Sequence, residues 1–310
     1  MSKANRAVLI TLVGVLLLGA VAIYGMGDYG LTVFVLLPFL IGFLPAYLLS
    51  RREWVPVGRA YRLGFATLFL SYLSVFVLAL EGMICLLMAL PLALLASWLG
   101  AYVAYAMQDP AQRGPGAAAP LVLLATTLLC LSVDAVREAA PARPVTTTVV
   151  VDAPPATVWG QVVSFDSITA PRGWLFRTGV AYPVDARIEG RGAGAVRYCN
   201  FSTGSFVEPI TVWDEPRQLA FAVREQPTPM SELNPFGAVH PPHLEHGYWV
   251  SERGQFLLTD LGDGRTKLAG TTWYRTDLRP ERYWRWWSDF IVHRIHRRVL
   301  DHIAEKAVAL

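Results

Sequence analysis

The chain has 310 residues, of which 54% are hydrophobic and only 16% charged, against roughly 25% charged in ordinary soluble proteins. A formal net charge of +3 gives no support to nucleic-acid binding, which needs a concentrated basic stripe. The three cysteines, Cys85, Cys130 and Cys199, define neither a disulfide framework nor a zinc knuckle, since the first two lie inside apolar runs.

The apolar excess occupies the first 133 residues. Five segments stand out, about 7–25, 31–50, 63–80, 83–107 and 117–133, to be compared with the about 20 apolar residues that span a bilayer. The first four satisfy that length and the fifth is the shortest. Lys3 and Arg6 make a positive start, but the run after them is longer than a signal peptide's apolar core and further spans follow. Between the spans lie Asp28, then Arg51, Arg52, Arg59 and Arg62, then Glu81, then Asp109 with Arg113. Positive charge alternates with its absence, which places the N-terminus in the cytoplasm. Five crossings put the rest of the chain outside a bacterial-type cytoplasmic membrane; four would return it to the cytoplasm. Glu81, in "LEGM", is expected in a short interfacial turn, the alternative being a functional ionisable group at membrane depth. Pro38, Pro45 and Pro91 are expected as tolerated kinks, and no Gly-x-x-x-Gly face is evident.

The segment "DPAQRGPGAAAP" is a loop by its Pro and Gly density, and "REAAPARP" is a link. The expected organisation is a transmembrane helical domain at 1–137, a linker at 138–144 and a second domain at 145–310. That domain opens on "VTTTVVV", a β-branched strand. A helix follows in "PATVWGQVVSF", with Pro155 in its first turn and Val158, Trp159, Val162 and Val163 at helical spacing. Strands are then predicted in "VDARIEG", "AVRYCNFS", "SFVEPITVW" and "QLAFAVRE". A Pro-rich loop runs from about 227 to 251. "GQFLLTDL" and "RTKLAGTTWYRTD" form a hairpin across "GDG". A long helix from about 280 to 307 closes the chain. The fold class is α+β: about five membrane helices, then a curved antiparallel sheet of about seven strands packed on a long C-terminal helix.

The stretches "VVVDAPPATVWGQVVSFDSI", "GSFVEPITVWDEPRQLAF" and "DGRTKLAGTTWYRTDLRP" resemble the START-like, helix-grip superfamily, also called SRPBCC, whose bacterial members are often polyketide cyclase/dehydrase-like. The resemblance covers roughly 143–308 and none of the membrane half. It implies a cavity between sheet and last helix that takes an apolar small molecule or lipid. It does not choose among carriers, receptors and cyclases.

The residues expected around that cavity are Trp159, Tyr198, Phe206, Glu208, Trp273, Trp284, Trp287, Ile291, Arg294, Ile295 and Arg298. At 100° per residue, Trp284, Trp287, Ile291 and Ile295 share one face of the last helix, with Arg294, Arg298 and His302 in or beside it. The arginines either offer charge to an anionic head group or lie along the helix margin and pair with Glu208 or Glu215. The opposite face carries Trp286, Asp289, His293, His296 and Leu300; Trp286 and Leu300 there are expected to meet the membrane helices or lipid. Asp289, His293 and His296 have spacing that could suit a metal, though no zinc signature is matched. His240, His243 and His246 belong to the long loop, expected as a flap over the cavity mouth. "GRGAG" has the wrong spacing for a dinucleotide fingerprint. Neither a cofactor nor a catalytic residue is indicated, although Glu208, Tyr198, Tyr274 and Asp277 would be the acid/base candidates. Three functions stay open, in this order: a membrane-anchored binding module for a hydrophobic ligand, a cyclase/dehydrase-type enzyme using the same cavity, and a structural or regulatory partner protein. The oligomeric state is not legible.

Overall fold

The computed structural model describes residues 1–25, 27, 29–109, 114–115, 119–135, 141–170, 173–239, 241–245 and 247–309. Asp28, Arg113, Arg137 and Glu138, and the first part of the expected linker, lie outside these residues. The chain divides into two units. One comprises Met1–Glu138, Glu232–Pro242 and Leu278–Pro280; the other comprises Ala139–Ser231, His243–Asp277 and Glu281–Leu310.

The first unit is helical. Helix α1 (Lys3–Ala20) runs on through a π turn at Val21–Gly25. A second π turn, Thr32–Leu36, leads into α2 (Leu37–Ser50), followed by α3 (Val57–Val77), α4 (Met83–Ala106) and α5 (Ala119–Ala135). Two-residue strands β1 (Gln108–Asp109) and β2 (Gly114–Pro115) pair between α4 and α5. Four stretches, Lys3–Gly25, Thr32–Ser50, Val57–Val77 and Met83–Ala106, are long and apolar enough to cross a membrane. The fifth apolar segment is helical but shorter, at 17 residues.

Large apolar side chains such as Leu17, Phe69 and Leu95 face outward, while Leu36, Phe43, Leu49 and Leu68 are buried together with small residues such as Ala46, Ala60 and Ala101. A Cβ on Gly42 would sit 1.9 Å from the Ser97 carbonyl oxygen, and one on Gly100 would sit 2.1 Å from that of Phe39. Only glycine lets α2 and α4 approach so closely, the usual device where lipid supplies no hydrophobic drive between helices. The small residues Ala96, Gly100 and Ala104 follow at four-residue spacing, the spacing of a Gly-x-x-x-Gly face with alanine in place of two glycines. Polar groups close the ends. Asp134 accepts from the Leu31 and Thr32 amides (2.8 and 2.7 Å) and from the Thr32 hydroxyl (2.7 Å). Those donors would otherwise be orphaned where the helix begins. The Gln108 side chain donates to the Val55 carbonyl and accepts from its amide, both at 2.9 Å.

The second unit is a single seven-stranded antiparallel sheet with helices on it. Its strands are β3 (Arg143–Val151), β4 (Pro183–Glu189), β5 (Val196–Phe201), β6 (Gly204–Asp214), β7 (Gln218–Ala222), β8 (Trp249–Asp260) and β9 (Thr266–Thr276). The spatial order is β3-β9-β8-β7-β6-β5-β4. Register shifts at Pro183/Asp185, Ile210/Val212 and Ser251/Arg253 mark irregular pairing; such bulges bend a strand and increase its twist. The β8–β9 turn uses Gly262 and Gly264 at φ 81° and 78°, the left-handed region that its Gly-Asp-Gly sequence anticipates. Helix α6 (Pro155–Val163) buries Val158, Trp159 and Val162, while Val163, expected with them, is half-buried. Short helices α7 (Trp174–Arg177) and α8 (Pro242–Glu245) sit in connections. Helix α9 (Glu281–Val308) closes the chain and packs on β3, β9 and α6. The expected sheet and closing helix are therefore present, a helix-grip arrangement preceded by four helices long and apolar enough to cross a membrane and by the shorter α5.

Candidate functional site

Strand alternation and register together define the inner face of the sheet. Ile188 pairs Arg197, Arg197 pairs Glu208, Ile210 pairs Phe221, Phe221 pairs Gly254, Gly254 pairs Thr272 and Thr272 pairs Val145. Gly254 is required there: a Cβ would lie 2.6 Å from the Phe221 ring. At one end this face is filled. Leu219, Leu268, Leu300 and Ile303 are fully buried in one cluster with Val158, Val162 and Leu258. Leu300 approaches Gly270 so closely that a Cβ added to that glycine would lie 3.4 Å from it.

The centre of the face holds an arginine. Arg197 is 2% exposed and Glu208 5%. An Arg197 Nη1 donates to Glu208 Oε2, and the two form an ion pair. Three phenyl rings surround the guanidinium, those of Phe165, Phe221 and Phe256, at 5.8, 5.5 and 5.6 Å from ring centroid to Cζ. Buried charge of this kind is retained only when paired. The pairing is incomplete, since Arg197 Nε has no acceptor among the described residues. Burial pushes the Glu208 carboxyl above the usual carboxylate range, against the pull of Arg197. Burial also pushes the neighbouring Cys199 thiol up to about 12, so it is protonated and inert at neutral pH. From Arg197 the face continues along β5 and β6 to Cys199, Phe201 and Phe206. Those two rings are half-buried and meet edge-on at 4.9 Å.

A second polar group lies where α9 crosses β3 and β9. Thr147 Oγ1 lies 2.8 Å from His293 Nδ1 and 3.2 Å from His296 Nδ1, and Thr272 Oγ1 lies 2.8 Å from His296 Nε2. Burial and the neighbouring His293 push His296 down to about 4. Tyr274 donates to Asp289 Oδ1 at 2.5 Å. The side chains suggested for a metal thus meet hydroxyl groups of the sheet, and the two histidines share Thr147. Both ring nitrogens of His296 meet threonines, and Asp289 holds a tyrosine.

The structure distributes the expected cavity residues unevenly. Trp159 is buried against Trp213, edge-on at 5.7 Å. Phe206 and Glu208 are on the inner face. Tyr198 and Trp273 are not: each alternates with an inner residue, and each lies under an outer-face arginine, Arg187 at 5.1 Å and Arg253 at 4.6 Å. Trp284 is buried, while Trp287, Ile291 and Ile295 are half-buried and Arg294 is exposed over the Phe290 ring at 5.2 Å. Helix α9 grips the sheet through the side bearing Asp289, His293, His296 and Leu300, which the helical rotation had set outward. Leu300 is core, not a lipid contact. Arg298 pairs with neither Glu208 nor Glu215. It donates to the carbonyls of Pro183 (3.1 Å) and Thr169 (2.6 Å), holding the chain before β4. Glu215 pairs with Arg191 at the surface. His302 is edge-on to Phe165 at 5.9 Å.

Of the expected flap, His240 and His246 lie outside the described residues. His243, on α8, is half-buried, and desolvation there lowers its imidazole to about 4. The stretch Glu232–Pro242 belongs to the helical unit. Asn234 Nδ2 donates to the Phe76 carbonyl (2.8 Å) and the Glu81 carbonyl (3.1 Å), and Phe236 meets Phe76 edge-on at 5.7 Å. Glu81 lies in the α3–α4 turn, where Tyr29 donates to it at 3.4 Å. Burial, reinforced by the Glu232 carboxylate, raises it to about 8.

Sequence reasoning missed Arg197, although a signal was present. The β5–β6 turn at Ser202–Thr203 makes Phe201 face Gly204, and counting back from it pairs Arg197 with Glu208.

No family model matches this chain, and no curated protein matches it. Solved structures similar to it include a protein from Nitrosospira multiformis (18% identity, 53% of this chain and 95% of that one, TM-score 0.33). They also include the Zhui aromatase/cyclase from Streptomyces sp. R1128 (17%, 54% and 93%, TM-score 0.35) and a norcoclaurine synthase from Thalictrum flavum (12%, 56% and 98%, TM-score 0.35). At such identities and TM-scores the likenesses carry no statement about ligand or activity.

Proposed function

We propose that the chain is a membrane-anchored module that binds a small, mainly apolar molecule against the inner face of its sheet, with a polar group of that molecule accepting from Arg197. The observation that carries this is the buried guanidinium whose Nε has no acceptor among the described residues. A buried donor left unsatisfied costs about 1–3 kcal/mol, and a carbonyl, hydroxyl or ether oxygen of a guest removes that cost. Because Glu208 already balances the charge, a neutral acceptor suffices. The guest belongs on the side of Cys199, Phe201 and Phe206, since the Leu268–Leu300 end is occupied by its own side chains. Four helices long and apolar enough to cross a membrane support the anchoring.

The test is extraction and mass spectrometry of small molecules from the purified full chain and from the double variant Arg197→Met/Glu208→Leu, which keeps the volume but removes the polar pair. The expected result is a defined apolar compound released by the wild type and absent from the variant. Equal recovery from both, or none from either, would overturn the proposal.

A second reading, a cyclase/dehydrase-type enzyme in the same space, draws on the raised Glu208 carboxyl beside a fixed cation, an arrangement suited to proton transfer. Glu208→Gln distinguishes the two: an enzyme would accumulate a different bound compound, whereas a carrier would hold the same one.

A further inference from the structure

The first 17 residues of α9 carry a surface that the binding module does not use. At 100° per residue, Arg282, Tyr283, Trp286, Phe290, Arg294 and Arg297 share one side of it. Trp286 is 62% exposed. Its ring stacks on Phe290 at 6.4 Å and meets Trp287 edge-on at 4.8 Å, so the aromatics form a continuous ledge. Arg294 lies over Phe290. Between residues 282 and 298 there are five arginines and one aspartate. Arg285 and Arg297 have acidic neighbours, Asp289 and Asp301, whereas Arg282 and Arg294 pair with no carboxylate among the described residues.

We infer that this ledge is a seat for anionic phospholipid head groups at a bilayer surface. Trp and Arg on one side of a helix is the composition of an interfacial segment: indole suits the head-group layer, and arginines are attracted to anionic lipid. A second copy of the chain is disfavoured, because a symmetric contact would set arginine against arginine. The helix that carries the ledge follows directly in the chain from the helical unit. The residues entering α9, Leu278–Pro280, belong to the helical unit. There the Arg279 amide donates to the Tyr29 carbonyl (3.2 Å), and its guanidinium donates to the Val133 carbonyl (2.5 Å). The inference rests on the membrane-anchoring part of the proposed function and adds a lipid class to it.

The experiment uses the full chain in nanodiscs of brominated phosphatidylcholine, with and without phosphatidylglycerol, comparing wild type with Trp286→Phe. The expected result is that wild type loses more tryptophan emission to bromine than Trp286→Phe, chiefly in the anionic discs. This excess should disappear in Arg282→Gln/Arg294→Gln/Arg297→Gln and in high salt. Equal quenching of wild type and Trp286→Phe in both lipids would overturn the inference. Alkaline carbonate treatment of membranes separates its failure from that of the anchoring. A chain that stays in the pellet but shows no Trp286 quenching refutes the lipid seat alone; a chain released to the supernatant refutes both.

Discussion

Replacing Glu208 by glutamine removes one charge from the buried pair and leaves the other. The Glu208 and Arg197 side chains are 7% and 2% exposed, so water cannot take the carboxylate's place. Stranding one member of a buried ion pair costs about 3–5 kcal/mol. The rings of Phe165, Phe221 and Phe256 recover part of this, at about 0.5–2 kcal/mol for a desolvated cation–π contact. A net loss near 3 kcal/mol is a large share of the about 5–15 kcal/mol that holds a typical domain together. For a unit of this size it lowers the melting temperature by about 10 °C, at about 2–4 °C per kcal/mol. Adding Arg197→Met should restore most of the loss, because apolar side chains of similar volume replace buried pairs at little or no cost. The assay is thermal unfolding of the full chain in detergent, followed by near-ultraviolet circular dichroism. If Glu208→Gln melts with the wild type, or the double variant melts below the single one, Arg197 and Glu208 are not a buried ion pair shielded from water.

Further outcomes are expected elsewhere. His296 is held near 4 when folded, below its ordinary value of about 6.5, so it stabilises the fold above pH 6.5 and loses that contribution as pH falls toward 4. The loss is about 3 kcal/mol and should shrink in His296→Asn, as read from denaturant midpoints across that range. Glu81 behaves oppositely: its carboxyl, raised to about 8, supports the folded state fully at acid pH and loses that support as pH rises through 8. Glu81→Gln should therefore be the more stable chain at pH 9, measured by thermal melts against wild type. In Gly100→Leu the new side chain meets the Phe39 backbone, and overpacking of this kind costs about 1–3 kcal/mol or more; lower detergent stability of the helical unit is the readout. Leu300→Ala empties a fully buried site and should cost about 2–5 kcal/mol in the same melts.

The strand and helix order could be read from residues because each element has its own period. The β-branched run before Asp152, the Pro155 helix and the Gly262–Gly264 turn all formed as local chemistry dictates. The face of β5 could not be assigned in the same way. Its inner residues are Arg197 and Cys199, while Tyr198 between them looks the better core residue; polarity pointed one way and alternation the other. A similar conflict misplaced the grip of α9. Trp287, Ile291 and Ile295 outweigh Asp289, His293 and His296 in hydrophobicity, but Thr147, Thr272 and Tyr274 on the sheet satisfy the polar side by hydrogen bonding. Those partners are 15 to 149 positions away in the chain, so no local pattern announces them. The close approach of α2 and α4 escapes a local pattern for another reason: Gly42 lies against Ser97 and Gly100 against Phe39 across the helices, and neither glycine belongs to a Gly-x-x-x-Gly repeat.

The most direct measurement is the side-chain Nε–H resonance of Arg197, assigned by its disappearance in Arg197→Lys, in the full chain before and after delipidation. A guest bonded there gives a deshielded, slowly exchanging signal that moves and exchanges faster once the bound molecule is stripped. A signal unchanged by delipidation would mean that nothing in the interior accepts from Arg197, and that the sheet and its closing helix enclose only their own side chains.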